Sequence, residues 1–135
     1  MPTPTEVVEQ FCAAFAAGDV TTISSLLADE VVYHNVGMEP ANGKEASLAM
    51  IQGFLDMAET MTFDVHRIAA NGDSVLTERT DTFTINGAKA PIAVMGAFDL
   101  RDGLIVAWRD YFDMGLTTKL MSGETVDASL LPVIP

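Results

Sequence analysis

The sequence predicts an α+β fold: a curved antiparallel sheet with helices on its concave face, forming a cone around one pocket. Three observations lead there. Apolar residues recur at helical spacing through most of the first 58 residues. Strand-like alternation takes over from Thr60. Three turn dipeptides, Asn71-Gly72, Asn86-Gly87 and Asp102-Gly103, then divide the second half into hairpins. Helices first and a run of hairpins after them describe α+β rather than alternating α/β architecture. With 135 residues, 1–135 is expected to be one domain, ending in a weakly patterned tail over 122–135.

Taken in order, Thr3-Pro4-Thr5-Glu6 carries a capping box with proline in the first turn, and opens a helix with Val7, Val8, Phe11, Ala14 and Phe15 on one face. Gly18 closes it, and Asp19 caps a short second helix bearing Ile23, Leu26 and Leu27. Residues 28–36 suit a strand, and 37–43, rich in glycine, proline and asparagine, a loop. Helical spacing returns over 44–58, with Leu48, Ile51, Leu55 and Ala58 on one side. The meander follows as strands near 60–70, 74–85, 90–100 and 104–113, and a short helix near 116–121 closes the patterned part.

Composition narrows the function. Nineteen acidic against seven basic residues give a net charge of −12, which argues against nucleic acid and against an anionic membrane surface. An apolar content of 49% suffices for a real core. The N-terminal residues carry no signal-peptide pattern, and no apolar stretch approaches membrane-spanning length, so a cytoplasmic protein is expected. Cys12, the single cysteine, has no partner for an internal disulfide and falls in an apolar helix pattern.

Side chains two apart on a strand share a face. Arg79 and Asp81 therefore point the same way, and on a later strand Asp110 shares its face with Trp108 and Phe112. Alternation turns Arg79, Asp81, Phe83, Ile92, Val94, Phe98, Asp110 and Phe112 inward, and Ala93, Met95, Ala97, Ile105, Ala107 and Tyr111 outward. Two carboxylates and a guanidinium would then sit among apolar side chains, where charges are costly unless paired. Such a group describes a structural ion-pair network, or an acid and a base held in unlike protonation states. Tyr33 and Asn35 share another strand face, and with Asp110 they supply three polar contacts for one water.

Tyr33-x-Asn35, Arg79-x-Asp81 and Trp108-Arg109-Asp110-Tyr111-Phe112-Asp113, in this order, resemble the limonene-1,2-epoxide hydrolases over roughly residues 5–120. The resemblance implies a cone of curved mixed sheet, shared with nuclear transport factor 2-like and ketosteroid isomerase-like proteins. It also implies a homodimer that uses no metal or organic cofactor. The hairpin at Asn86-Gly87 looks shorter than the family's, which alters the pocket rim.

Epoxide opening suits these residues chemically. Asp110 would take a proton from a water held by Tyr33 and Asn35, Asp81 would protonate the leaving oxygen, and Arg79 would bridge the two carboxylates. Met57, Phe83, Ile92, Val94, Phe98 and Phe112 would wall a lipophilic, cyclic or terpenoid epoxide. His34 and His66 have no partnered spacing, so a metal site is not expected. The alternative is a member of the same cone fold that binds, isomerises or cyclises a ligand without hydrolysis, since fold alone does not decide function. The outward set is too apolar for water and points to a homodimer formed through that face.

Overall fold

The computed structural model describes residues 1–135. Helices α1 (Pro4–Ala16) and α2 (Val20–Ser25) lead into strand β1 (Leu27–Asn35). The short β2 (Ala41–Asn42) and helix α3 (Lys44–Met57) follow. Strands β3 (Thr60–Asn71), β4 (Ser74–Ile85), β5 (Ala88–Arg101) and β6 (Leu104–Tyr111) form the meander, and α4 (Met114–Met121) closes it. No helix is long and apolar enough to cross a membrane.

Local chemistry sets these boundaries. Thr3 and Glu6 complete the capping box of α1, and Asp19 accepts from the Thr22 amide to start α2. Gly18, at φ +61°, ends α1 in the left-handed conformation that glycine adopts without penalty. Asn86-Gly87 and Asp102-Gly103 each hold two successive positive φ values, the geometry that suits the twist of a two-residue hairpin. The first hairpin turns one residue later than Asn71-Gly72 suggests. Asn71 still pairs with Ser74, and Gly72-Asp73 forms the loop.

The sheet runs β2-β1-β6-β5-β4-β3 and is mixed. The meander is antiparallel, whereas β1 lies parallel to β6. This parallel pairing lays the first strand against the last strand of the meander and sets Tyr33 beside Trp108 and Asn35 beside Asp110. Helix α1 covers the inner face with Phe11 and Phe15, which meet Trp108 edge-on. Phe15 also stacks on Phe63 at 4.2 Å. The inner face is thus an aromatic core at the α1 end, and it opens into a pocket toward α4.

Ile105 departs from the expected pattern. A register shift in the β5–β6 ladder pairs Asp99 with Ala107 but Leu100 with Ile105, leaving Val106 as an extra residue. A one-residue insertion reverses the facing of everything before it. Ile105 is therefore in the core at 0% exposure, not on the outer face. The rest of the outward set holds: Met95 and Tyr111 are about half exposed, with Ala93, Ala97 and Ala107 half-buried. Leu76 adds to this face. From the tail, Pro132 and Ile134 border a shallow depression there with Glu78, Ala93, Met95 and Tyr111.

Candidate active site

Five side chains singled out by sequence converge on one point. Arg79 and Asp81 lie two apart on β4, Asp110 on β6, and Tyr33 and Asn35 on β1. All five are buried. They are neighbours because the ladders put them in adjoining rows: Thr77, Gly96, Asp110 and Asn35 run across β4, β5, β6 and β1.

Arg79 is the hub, and each of its five N–H donors has an acceptor. Nε and Nη2 donate to Asp81 Oδ1 and Oδ2 at 3.0 and 2.7 Å. Nη1 and Nη2 donate to Asp110 Oδ1 and Oδ2 at 3.1 and 2.8 Å. The second Nη1 hydrogen goes to Thr77 Oγ1 at 3.1 Å. The guanidinium also lies over the Phe63 ring, 4.7 Å from its centre. Only a planar fork makes this double bidentate contact. One cation thus serves two anions, so the cluster carries a net negative charge unless one carboxylate binds a proton.

Gly96 makes the bridge possible, although nothing in the sequence motifs marks it. To reach β6 from β4, the guanidinium crosses directly over β5. A Cβ on Gly96 would stand 2.2 Å from Arg79 Nη1 and 2.7 Å from Asp110 Oδ1. The readable signal was a glycine inside a long strand, which marks a close approach of some other group.

Burial sets the electrostatics of the cluster. Burial pushes the Asp81 carboxyl up to about 6, with Arg79 opposing and the charges of Asp110 and Asp64 adding to the rise. Burial likewise raises Tyr33 well above the usual phenol range. Burial lifts the Cys12 thiol, beside the cluster on α1, to about 12, so it is not a thiolate nucleophile at neutral pH. Burial works against the charge of Arg79, but Asp110 and Asp81 more than offset it and hold the guanidinium firmly protonated.

A stability prediction follows from Asp81. Its folded value lies above the ordinary 3.8, so folding favours the protonated form. That contribution is fully present below pH 3.8 and is lost as pH rises to about 6. Asp81→Asn has no such proton to lose. Across this window the wild type should lose on the order of 3 kcal/mol of unfolding free energy relative to the variant. Urea titrations of both proteins between pH 4 and 7 test this; parallel pH profiles would contradict it.

The cluster forms the floor of a cavity of about 160 Å³. That is close to the size of engineered apolar cavities that accept a benzene ring. Tyr33, Asn35, Asp81 and Asp110 meet it at the floor, and Phe83, Ile92, Val94 and Phe112 line its wall, as the alternation predicts. Met57 and Phe98 do not line it. Met57 is the last residue of α3 and is about half exposed. Phe98 faces inward but lies toward the α1 end, fully buried against Phe11 and Trp108. Instead, Met38 from the loop, Phe54 from α3, Met61 and Phe63 from β3, and Met114, Thr117 and Met121 in α4 complete the wall. His34 lies away from the cluster, its ring bonded to the Met38 carbonyl at 2.8 Å. His66 is exposed and bonds Thr80.

Fold and site together define a class: a nuclear transport factor 2-like open mixed sheet with a buried Asp–Arg–Asp cluster beneath an apolar cavity. Comparison with known proteins carries this further. The family model described as "Limonene-1,2-epoxide hydrolase catalytic domain" matches residues 2–122. "Epoxide hydrolase EphG" of Mycobacterium tuberculosis is 38% identical over 109 residues, 79% of this chain and 71% of that protein. The solved structure of an M. tuberculosis LEH-like epoxide hydrolase superposes with a TM-score of 0.76 at 34% identity, covering 89% of this chain and 90% of the other. An NTF2-like protein of unknown function from Burkholderia pseudomallei has a TM-score of 0.81 at 18% identity, covering 90% and 99%, and shares the fold. The chain belongs to the limonene-1,2-epoxide hydrolase family.

Proposed function

We propose that this protein adds water to a lipophilic epoxide of about monocyclic size, giving a vicinal diol in one step without a covalent intermediate. The observation that carries the proposal is the pairing of two buried aspartates on one guanidinium at the floor of an apolar cavity. Family membership supports epoxide hydrolysis as the activity. The polar wall is too sparse to recognise a sugar or a charged metabolite, and it suits a hydrocarbon ring.

Asp110 acts as the base. Tyr33 O–H donates to Asn35 Oδ1 at 3.3 Å, while Asn35 Nδ2 has only the Met50 sulfur, a weak acceptor, at 3.5 Å. A water in this corner accepts from Asn35 Nδ2 and donates to the Tyr33 oxygen and to Asp110. Its lone pair then faces the cavity. Asp81, in its acid form, donates to the epoxide oxygen as the C–O bond breaks, so no free alkoxide forms. Arg79 holds both carboxylates at fixed spacing and absorbs the change as one gains a proton and the other loses it. No resident cofactor is assigned.

Because the acid titrates near pH 6, kcat/KM should decline on the alkaline side of that value. A panel of cyclic and terpenoid epoxides, assayed for diol, tests the activity, and a protein that hydrolyses none of them sinks the proposal. A single turnover in ¹⁸O-labelled water tests the route. Direct attack puts label in the first diol, whereas label recovered in Asp110 or Asp81 would show an ester intermediate. The half-exposed face of Leu76, Met95 and Tyr111 supports a homodimer, and purely monomeric sedimentation at micromolar concentration would exclude it.

A further inference from the structure

We propose that Trp108 is a positioning residue whose indole N–H selects both the aspartate and the oxygen atom that act as base. The inference rests on the hydrolase mechanism above and adds the device that makes its two aspartates unequal. Trp108 Nε1 donates to Asp110 Oδ1 at 2.8 Å. The same oxygen accepts from Arg79 Nη1 at 3.1 Å. A carboxylate oxygen has about two lone-pair positions, so Oδ1 is saturated. Oδ2 accepts only from Arg79 Nη2 and keeps one position open. Oδ2 is therefore the atom that can take a proton from water.

The count of donors separates the carboxylates. Asp110 accepts from Arg79 Nη1 and Nη2 and from Trp108 Nε1, whereas Asp81 accepts from Arg79 Nε and Nη2 only. A donor bonded to the charged form favours that form. The additional N–H holds negative charge on Asp110 and leaves the shared proton with Asp81. The guanidinium, which contacts both, cannot make this distinction alone.

The indole is built to hold this direction. It is completely buried. Tyr33 stacks on it at 3.9 Å and 8°, and Phe98 at 5.7 Å and 14°. Phe11 meets it edge-on at 5.0 Å. The ring cannot turn its N–H elsewhere without breaking these contacts, and the same stack fixes Tyr33. The ionisable groups around Asp110 are Arg79 and Asp81 on β4, Tyr33 on β1 and Cys12 on α1, with Asp64 of β3 acting on Asp81. Toward the cavity, α3, α4 and β5 turn side chains such as Phe54, Met121 and Val94. Tyr33 and Cys12 stay neutral through mild acid and neutral pH. Neither of them contributes a charge change in that range.

The chain has one tryptophan, so ¹⁵N-labelled indole gives a single side-chain N–H resonance. That resonance should titrate with pH, lose the titration in Asp110→Asn, and keep it in Asp81→Asn. In Trp108→Phe, kcat/KM should fall ~10–100-fold, the loss expected for one hydrogen bond to a charged group. Its acid limb should also move to higher pH, because the charged form of Asp110 then lacks one of its three donors. Fluorotryptophan at the same site keeps the shape and strengthens the donor, so its acid limb should move the other way. It also serves if the phenylalanine variant fails to fold. An acid limb unmoved by either change, or a resonance that Asp81→Asn silences and Asp110→Asn does not, overturns the assignment. If no epoxide is turned over, the resonance alone decides, because it needs no substrate.

Discussion

Asp110→Asn should fold normally and lose ~10²–10⁴-fold in kcat, the span attributed to a positioned general base. Asparagine has nearly the same shape, so Trp108 can still donate to its carbonyl oxygen. Its amide nitrogen cannot accept a proton from water and presents N–H groups to Arg79, which itself has only donors to offer. One of the two anions on the guanidinium is then gone. Asp81 becomes the sole counter-ion of Arg79 and no longer shares a negative field with a second carboxylate. The pressure that keeps Asp81 protonated weakens, because the charge of Asp110 is among its causes. The variant therefore loses the base outright and impairs the acid. Diol formation under saturating substrate, with circular dichroism and melting temperature as controls for folding, checks this. A folded Asp110→Asn protein that turns over at near wild-type rate would show that another group takes the proton.

The facing of most of these side chains is legible in the sequence, because a strand alternates its side chains strictly. Arg79-x-Asp81 and Trp108-x-Asp110 each had to share a face, and a buried charge needs a partner. What alternation could not supply is position along the face. Phe98 and Val94 point the same way from β5, yet α1 covers Phe98 and the cavity reaches Val94. The capping of that face depends on where α1 and α4 dock, which no local pattern encodes. Ile105 failed for a different reason. Val106 bulges, and an inserted residue reverses the facing of its predecessors without leaving a turn dipeptide behind. Met38, Met114, Thr117 and Met121 come from a loop and from the closing helix, so their presence at the wall depends on tertiary closure. The parallel pairing of β1 with β6, which sets Asn35 beside Asp110, is a contact between residues 75 positions apart (110 minus 35) and had no local signal.

Gly96→Ala should damage the protein more than any other single-methyl change, in both stability and rate. Glycine weakens a strand interior, and alanine in open space there would restore about 0.5–1 kcal/mol. At residue 96 the sign reverses. The new methyl would stand 2.2 Å from Arg79 Nη1, 2.7 Å from Asp110 Oδ1 and 3.0 Å from Thr77 Oγ1. The backbone cannot retreat, since β5 is hydrogen-bonded to β4 on one side and β6 on the other. Arg79 must therefore swing off β5, breaking its bonds to Asp110 and to Thr77. Disrupting a buried ion pair in this way costs roughly 3–5 kcal/mol. The two aspartates then lose their common guanidinium, and with it the spacing that the proposed acid and base require. Denaturant unfolding should show the stability loss, and kcat should fall ~100-fold or more, as expected when general acid and base are both misplaced. An Arg79→Met background separates cause from coincidence. With no guanidinium to displace, the added cost of Gly96→Ala should shrink, leaving a coupling energy of ~1–3 kcal/mol between the two sites. Equal costs in both backgrounds would mean that the glycine serves the strand rather than the bridge.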